Sequence, residues 1–244
     1  MIDLHMHLLP GVDDGPGQPR EAIEMCRLAA TGGCEVLVAT PHQRHASWEN
    51  TEPARLAALL DELQAGVGPT PKLLLGAEIR IDSRLLEDLD DISASGLLPL
   101  AGTRYLLLEA DRLLPGPEPL DLVHELTVRA WRPIFAHPEF IPSLHRDLDL
   151  VSDLVAGGAL MQVTAGSLLG RFGRTAQRIA SQLVDSGLVH VVASDAHGTS
   201  WRPPDLGEAH AAIAARWGEQ AAWRMCVGHP RAIIQDRLLA EGIV

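Results

Sequence analysis

His5 and His7 stand two positions apart at the end of a short apolar run, Met1-Ile2-Asp3-Leu4. In an extended strand, residues i and i+2 project from one face, so the two imidazoles can hold a cation between neutral ring nitrogens. An HxH triplet alone says little, but the placement recurs. Asp14 lies in the stretch after the first run, and His42, Glu78, Glu109, His137 and the pair Asp195 and His197 each come just after a later apolar run. These nine side chains offer only imidazole nitrogen and carboxylate oxygen. Zinc takes about four such donors and manganese or iron about six, waters included, so the set implies two or three divalent ions. The donors suit Mn, Fe or Zn, and the lack of cysteine among them argues against a structural zinc site.

Each residue also has a bland role. Glu109 could cap a helix or sit solvated in a loop, His42 could be a loop histidine after Pro41, and Asp195 could cap a helix. Asp13 and Asp14 could form an Asx turn with Gly15 and Pro16, a role we keep for Asp13. For every residue to be bland at once requires many independent accidents at equivalent positions, so the joint metal reading is preferred.

The elements that must position these donors are also legible. Apolar runs recur at Val36-Leu37-Val38-Ala39, Leu73-Leu74-Leu75, Tyr105-Leu106-Leu107-Leu108, Pro133-Ile134-Phe135-Ala136, Ala159 to Val163 and Val189 to Ala193, each short enough for a buried strand. Helical patterns lie between them: Arg20 to Ala30, Glu52 to Gln64, Ser83 to Ala94, Glu118 to Ala130, Leu148 to Ala156 and Thr175 to Ser186. Gly32-Gly33, Gly157-Gly158 and Gly187 supply stops at helix C-termini. With the N-terminal strand this makes seven alternating βα units, which predicts an α/β fold with a parallel sheet closed, or nearly closed, into a TIM-like barrel spanning residues 1–244 as one domain. A doubly wound open sheet is the second choice. The segment from Pro203 onward reads as helical, and Pro115-Gly116-Pro117-Glu118-Pro119 as a βα loop. In such a barrel the chemistry sits at the carboxyl ends of the strands, where the nine donors fall.

Composition excludes several classes. At 244 residues, 46% hydrophobic and 21% charged, the chain suits a globular enzyme, and no run reaches the length of a membrane span. It starts directly with its strand, without the basic start and cleavage site of an export signal, so a cytoplasmic location is expected. A net charge of -12 argues against nucleic acid and anionic membranes as partners, and bound cations would cancel part of it. Cys26, Cys34 and Cys226 form no CxxC pair and read as buried thiols. Gly32, Thr40 and Ala232 stand where the CxxxxxR loop of thiol phosphatases needs arginine. No GxSxG, Walker A or GxGxxG motif occurs, and Lys72, the one lysine, precedes its strand, which disfavours a carboxylated-lysine amidohydrolase.

The HxH, the later Thr40-Pro41-His42, an isolated Glu78, His137-Pro138-Glu139 and Asp195-Ala196-His197 resemble the motif set of the PHP (polymerase and histidinol phosphatase) superfamily. Within it, Met1 to His7, Gly11-Val12-Asp13-Asp14-Gly15-Pro16, Ala165 to Gly170 and Ser194 to His197 are similar to the manganese-dependent protein tyrosine phosphatases of bacterial capsule and exopolysaccharide loci. The resemblance implies a distorted (β/α)7 PHP-type barrel and a trinuclear centre, with Mn favoured over Fe or Zn. His5, His7, Glu78 and Asp195 would hold the first ion, Glu78 would bridge to a second held by Glu109 and His137, and Asp14, His42 and His197 would hold the third. Arg202 matches a family arginine that grips phosphate, and Arg44 is a further candidate. The implied partner is the phosphotyrosine tail of a bacterial tyrosine kinase. Where the family commonly has HPERY this chain has His137-Pro138-Glu139-Phe140-Ile141, so Phe140 replaces an arginine. Two other readings stand beside this one: a phosphatase of a small molecule such as histidinol, sugar or nucleotide phosphate, and a phosphotyrosine-binding regulator with weak turnover. Oligomeric state has no sequence signal.

Overall fold

The computed structural model describes residues 1–110 and 118–239. In chain order the elements are β1 (Ile2–Met6), α1 (Pro19–Thr31), β2 (Val36–Ala39), β3 (His42–Gln43), α2 (Pro53–Val67), β4 (Lys72–Leu75), β5 (Glu78–Arg80), α3 (Leu85–Asp90), α4 (Ile92–Ser95), β6 (Tyr105–Glu109) and α5 (Pro119–Val128). There follow β7 (Arg132–Ala136), α6 (Pro142–Arg146), α7 (Leu148–Ala156), β8 (Leu160–Thr164), α8 (Ala165–Leu168), α9 (Gly173–Asp185), β9 (Val191–Ala193), α10 (Leu206–Trp217), α11 (Glu219–Trp223) and α12 (His229–Ile234).

The helices form where the apolar spacing places them. In α1 the buried Ala22, Met25, Cys26 and Ala29 fall at i, i+3, i+4 and i+7, one stripe of a 3.6-residue period, and a proline opens the first turn. The stop glycines behave as expected: Gly33 (φ 93°) and Gly158 (φ 104°) adopt left-handed backbone that a side chain would oppose. The helix expected over 83–94 is two short ones, because the Asp91 side chain accepts from Ala94 N at 3.1 Å and caps a new start. The stretch from Pro203 carries α10 to α12 within the described residues. Residues 115–117 of the expected proline-rich loop lie outside them.

All strand pairs are parallel, in a three-stranded sheet ordered β1-β2-β4 and a six-stranded sheet ordered β3-β5-β6-β7-β8-β9. Seven apolar runs therefore give nine strands among the described residues. Two runs are continued by a short second segment: β3 starts after Pro41, which has no N–H for a ladder, and β5 starts after Gly76-Ala77. The end of β9 returns to β1, with Asp195 N donating to His5 O at 2.8 Å and His7 N to Ala196 O at 2.9 Å. Both faces of the strands are apolar. Ile2, Leu4, Val38, Tyr105, Leu107, Ile134, Ala136, Val191 and Ala193 share one buried cluster, while Leu37, Leu106, Leu108, Phe135, Met161 and Val192 pack into another with the helices. That period-2 sorting explains why the runs are continuous rather than alternating. No helix among the described residues is long and apolar enough to cross a membrane.

Candidate metal centre

The donors gather where strands end: His5 and His7 at the end of β1, His42 and Glu78 just past β2 and β4 as the opening residues of β3 and β5, Glu109 at the end of β6, His137 after β7, and Asp195 and His197 after β9, with Asp14 in the loop before α1. The short β3 and β5 have a local purpose, since their parallel register sets His42 directly beside Glu78. A bulge in β1 aims His5. Asp3 pairs with Leu37 and Met6 with Ala39, so three steps on β1 oppose two on β2. Leu4 belongs to the inner apolar cluster and Met6 to the outer one, and the extra residue lets His5 follow Leu4 without being turned to the opposite face.

The ring nitrogens converge on shared carboxylates. His5 Nε2 is 3.4 Å from Glu78 Oε2 and 3.3 Å from Asp195 Oδ1, and His7 Nε2 is 3.5 and 3.6 Å from the same two atoms. His42 Nδ1 lies 3.0 Å from Glu78 Oε2 and 3.6 Å from Glu109 Oε2, while His137 Nε2 reaches Glu78 Oε1 at 2.8 Å. Asp14 Oδ1 sits 3.5 Å from His42 Nε2 and 3.3 Å from His197 Nε2. Among the described residues three groups are tight enough to hold an ion: His5, His7 and Asp195; His7, Asp14, His42 and His197; and His42, Glu78 and Glu109. Asp14, His42 and His197 thus come together as the resemblance implies. His7 and His42 each belong to two groups, and His137 joins through Glu78.

Two observations test whether ions fit. His42 Nδ1 and His197 Nε2 are buried and lack a hydrogen-bond partner despite carboxylate oxygens at 3.0 and 3.3 Å, so the contacts have the wrong angles for hydrogen bonds. Donors about 2.1 Å from a common ion stand roughly 3.0 to 3.4 Å apart, the spacing seen here. The second observation is the tautomers. His7 Nδ1 meets Asp13 Oδ2 at 2.8 Å and His5 Nδ1 meets Gln162 Oε1 at 2.8 Å. Those oxygens accept, so each Nδ1 donates and Nε2 is the atom that carries the lone pair once the ring is neutral, and the two Nε2 atoms are only 3.3 Å apart. A shared proton or a metal ion between them would satisfy both. The donor set therefore fits divalent metal ions.

The charges of the cluster depend on one another. Burial disfavours a charged His7, but Asp13 and Glu78 outweigh it and push the ring up to about 10. His42, likewise opposed by burial, is raised to about 11 by Asp14 and Glu78, and His137 to about 9 mainly by Glu78. Glu78 is held well below the usual carboxylate range against its burial, chiefly by His5 and His137. Glu109 is raised, by burial and by the neighbouring Glu78 charge. Three rings thus keep protons at neutral pH in positions where a metal would displace them.

Other sequence-selected residues have definite places. Arg202 forms an ion pair with Asp195, whose backbone, like those of His137 and Arg202 itself, is left-handed (φ 54°, 37° and 49°). Such strain costs on the order of 1 kcal/mol per residue and clusters at functional sites. Arg44, singled out as a second phosphate-gripping residue, is engaged elsewhere: its guanidinium closes on Asp82 and Asp88, which the loop after β5 and helix α3 bring beside it. Asp13 makes the expected Asx turn, accepting from Gly15 N at 3.0 Å, and also orients His7 and accepts from His42 N at 3.1 Å. That second role was missed. So was Gln162, whose signal was a lone amide inside the apolar run of β8.

Fold and site together define a class, a parallel α/β protein with a buried histidine–carboxylate cluster fit for metal ions where its strands end. Residues 1–235 match the family model for capsular polysaccharide synthesis, CpsB/CapC, and the chain belongs to that family. It is 37% identical over 210 residues to CapC of Staphylococcus aureus, covering 83% of this chain and 79% of that one. It is also 34% identical over 230 residues to the tyrosine-protein phosphatase YwqE of Bacillus subtilis, covering 92% and 88%. A crystal structure from work on YwqE and on CpsB of Streptococcus pneumoniae, described as unique metal-dependent tyrosine phosphatases, superposes with a TM-score of 0.90 at 32% identity, covering 98% of this chain and 96% of that one. An organophosphorus hydrolase variant shares the fold alone, with a TM-score of 0.60 at 13% identity, covering 96% of this chain and 92% of that one.

Proposed function

We propose that the protein is a metal-dependent protein-tyrosine phosphatase acting on the phosphotyrosine tail of a tyrosine kinase in capsule or exopolysaccharide synthesis. The observation that carries the chemistry is the cluster itself, in which buried nitrogens and oxygens approach to 3.0–3.6 Å without hydrogen-bond geometry. Its family, and the phosphatase activity of its relatives YwqE and CpsB, support the substrate.

The nine donors would hold two or three ions, manganese in our reading. Bound there, such ions supply a water acidified toward a pKa of about 7 and neutralise charge on the phosphoryl oxygens. The chain's residues do the rest. Asp13 and Gln162 fix the tautomers of His7 and His5, keeping each Nε2 free to ligate. Arg202, anchored on Asp195, presents a planar donor fork to a phosphate oxygen. Phe140 brings no guanidinium, and Arg44 would have to leave Asp82 and Asp88 to contribute, so Arg202 carries the phosphate grip. A tyrosyl leaving group, with a pKa near 10, departs with less help from an acid than an alkoxide.

We further infer that the strands are staves of one distorted (β/α)7 barrel, with β2 and β3, and β4 and β5, as two bent staves. The bonds from Asp195 and Ala196 to β1 and the apolar cluster on the inner face support that closure. Residues 1–244 then form one domain. The test is hydrolysis of a tyrosine-phosphorylated peptide by manganese-loaded protein beside His5→Ala. Turnover that the substitution abolishes is expected, and an intact peptide with the metals bound would sink the reading.

A further inference from the structure

Aromatic rings fringe the centre on the segments that follow β7, β8 and β9. The Phe140 ring lies 5.8 Å from that of His137 and meets Phe172 edge-on at 5.3 Å. Trp201 meets His197 edge-on at 5.8 Å. The Arg202 guanidinium stands over both Phe172, at 5.9 Å, and Trp201, at 5.7 Å. Rings and guanidinium form a continuous arc from one ligand histidine to another.

These rings are not simply core. Trp201 is 63% exposed and Phe172 38%. Among the described residues the exposed large apolar side chains include three aromatic ones, and two of them belong to this arc. In a chain only 4% aromatic, rings left in water beside a charged centre suggest surface kept open for a ligand. Arg202 Nε is buried without a hydrogen-bond partner, so a donor inside the arc is still unclaimed.

We propose that Phe140, Phe172 and Trp201 form the wall that receives the aromatic ring of the substrate, making the centre select aryl over alkyl phosphate esters. The proposal rests on the phosphatase reading above. One ester oxygen separates phosphorus from the phenyl ring, so a phosphate held by the centre delivers that ring to the immediate neighbours of the ligands. Edge-to-face and offset contacts there reward an aryl group, while a short alkyl group leaves the wall wet. Arg202 links the wall to the centre, with its cation over the rings and its guanidinium paired with Asp195.

Calorimetry of the manganese-loaded protein with phenylphosphonate and methylphosphonate tests this without turnover. Phenylphosphonate should bind roughly tenfold tighter or more. Phe172→Ala and Trp201→Ala should each narrow that ratio severalfold, whereas Trp223→Ala, at an exposed ring outside the arc, should leave it unchanged. Equal binding by the unaltered protein, or a ratio that survives both arc substitutions, would overturn the wall and leave the phosphatase reading standing. Binding of neither phosphonate would overturn both.

Discussion

The two ends of the strand set use their polar groups in opposite ways. At the amino ends the groups satisfy one another: Tyr105 donates to Arg237 O at 2.7 Å, Arg104 Nε meets Asp236 at 3.0 Å, His190 accepts from Met161 N at 3.2 Å, and His229 reaches His190 O at 2.7 Å. At the carboxyl ends, His42 Nδ1, His197 Nε2 and Gln162 Nε2 lack hydrogen bonds although polar atoms crowd around them. Leaving a buried polar atom unpaired costs about 1–3 kcal/mol. The amino end therefore contributes stability, and the carboxyl end keeps affinity in reserve for cations.

Substitutions should separate these contributions. The largest effect is expected for Glu78→Gln, which removes the charge on which His5, His42 and His137 all converge. Phosphatase turnover should fall roughly a thousandfold or more, with metal content measured by atomic emission falling alongside. Full metal content with full turnover would refute the central place given to Glu78. Next comes Asp13→Asn, which leaves the Asx turn but weakens the hold on the His7 tautomer. Manganese affinity should drop about 10–100-fold in a titration.

Phe140→Arg sharpens the comparison from the other side. A guanidinium beside His137 should tighten inorganic phosphate binding to the loaded protein, on the order of tenfold for one charge-assisted contact. Unchanged phosphate affinity would mean that this position does not face the anion. At the amino end, Tyr105→Phe should cost about 1 kcal/mol in urea unfolding and leave manganese affinity unaltered. A parallel loss of metal would show that the two ends are not separable.

The smallest effect is one of pH. Burial, then the neighbouring His229, lowers His190 to about 4 from an ordinary value of 6.5. Between those values the unfolded chain binds more protons than the folded one, so this contribution is fully present above pH 6.5 and is lost as pH falls toward 4. Unfolding midpoints of the unaltered protein and His190→Asn, compared from pH 7 to 4, should converge as acid removes the advantage of the neutral ring. A constant difference would contradict it.

Much of this was legible in the sequence because the ligands fall just after apolar runs, and a run that ends in a donor marks the carboxyl end of a strand. All nine selected donors lie in the cluster, and the alternation of runs and helical stripes gave the parallel α/β class. The features that escaped depend on pairing between distant segments. Nothing local in Ile2–Met6 marks the bulge that aims His5, since it exists only against β2. The local sequence of Asp13 points to its turn and not to His7, and Arg44 is matched to Asp82 and Asp88 only where β5 and α3 stand beside β3. Pro41 and Gly76 were visible, but whether they would end a strand or split it was set by the neighbours.

The hydrogen bonds that seat His5 and His7 come from Asp195 and Ala196, and Asp3 accepts from Ser194, 191 positions later. That span gives the centre a place in time as well as in space. During synthesis His5 and His7 emerge well before Asp195 and His197, and must wait for β9 before those partners exist. A nascent or truncated chain ending before β9 has neither Asp195 nor His197, nor the backbone bonds that join β9 to β1. Completion of the donor cluster is thereby deferred until β9 has been made, and fragments ending before it carry histidines but no assembled cluster.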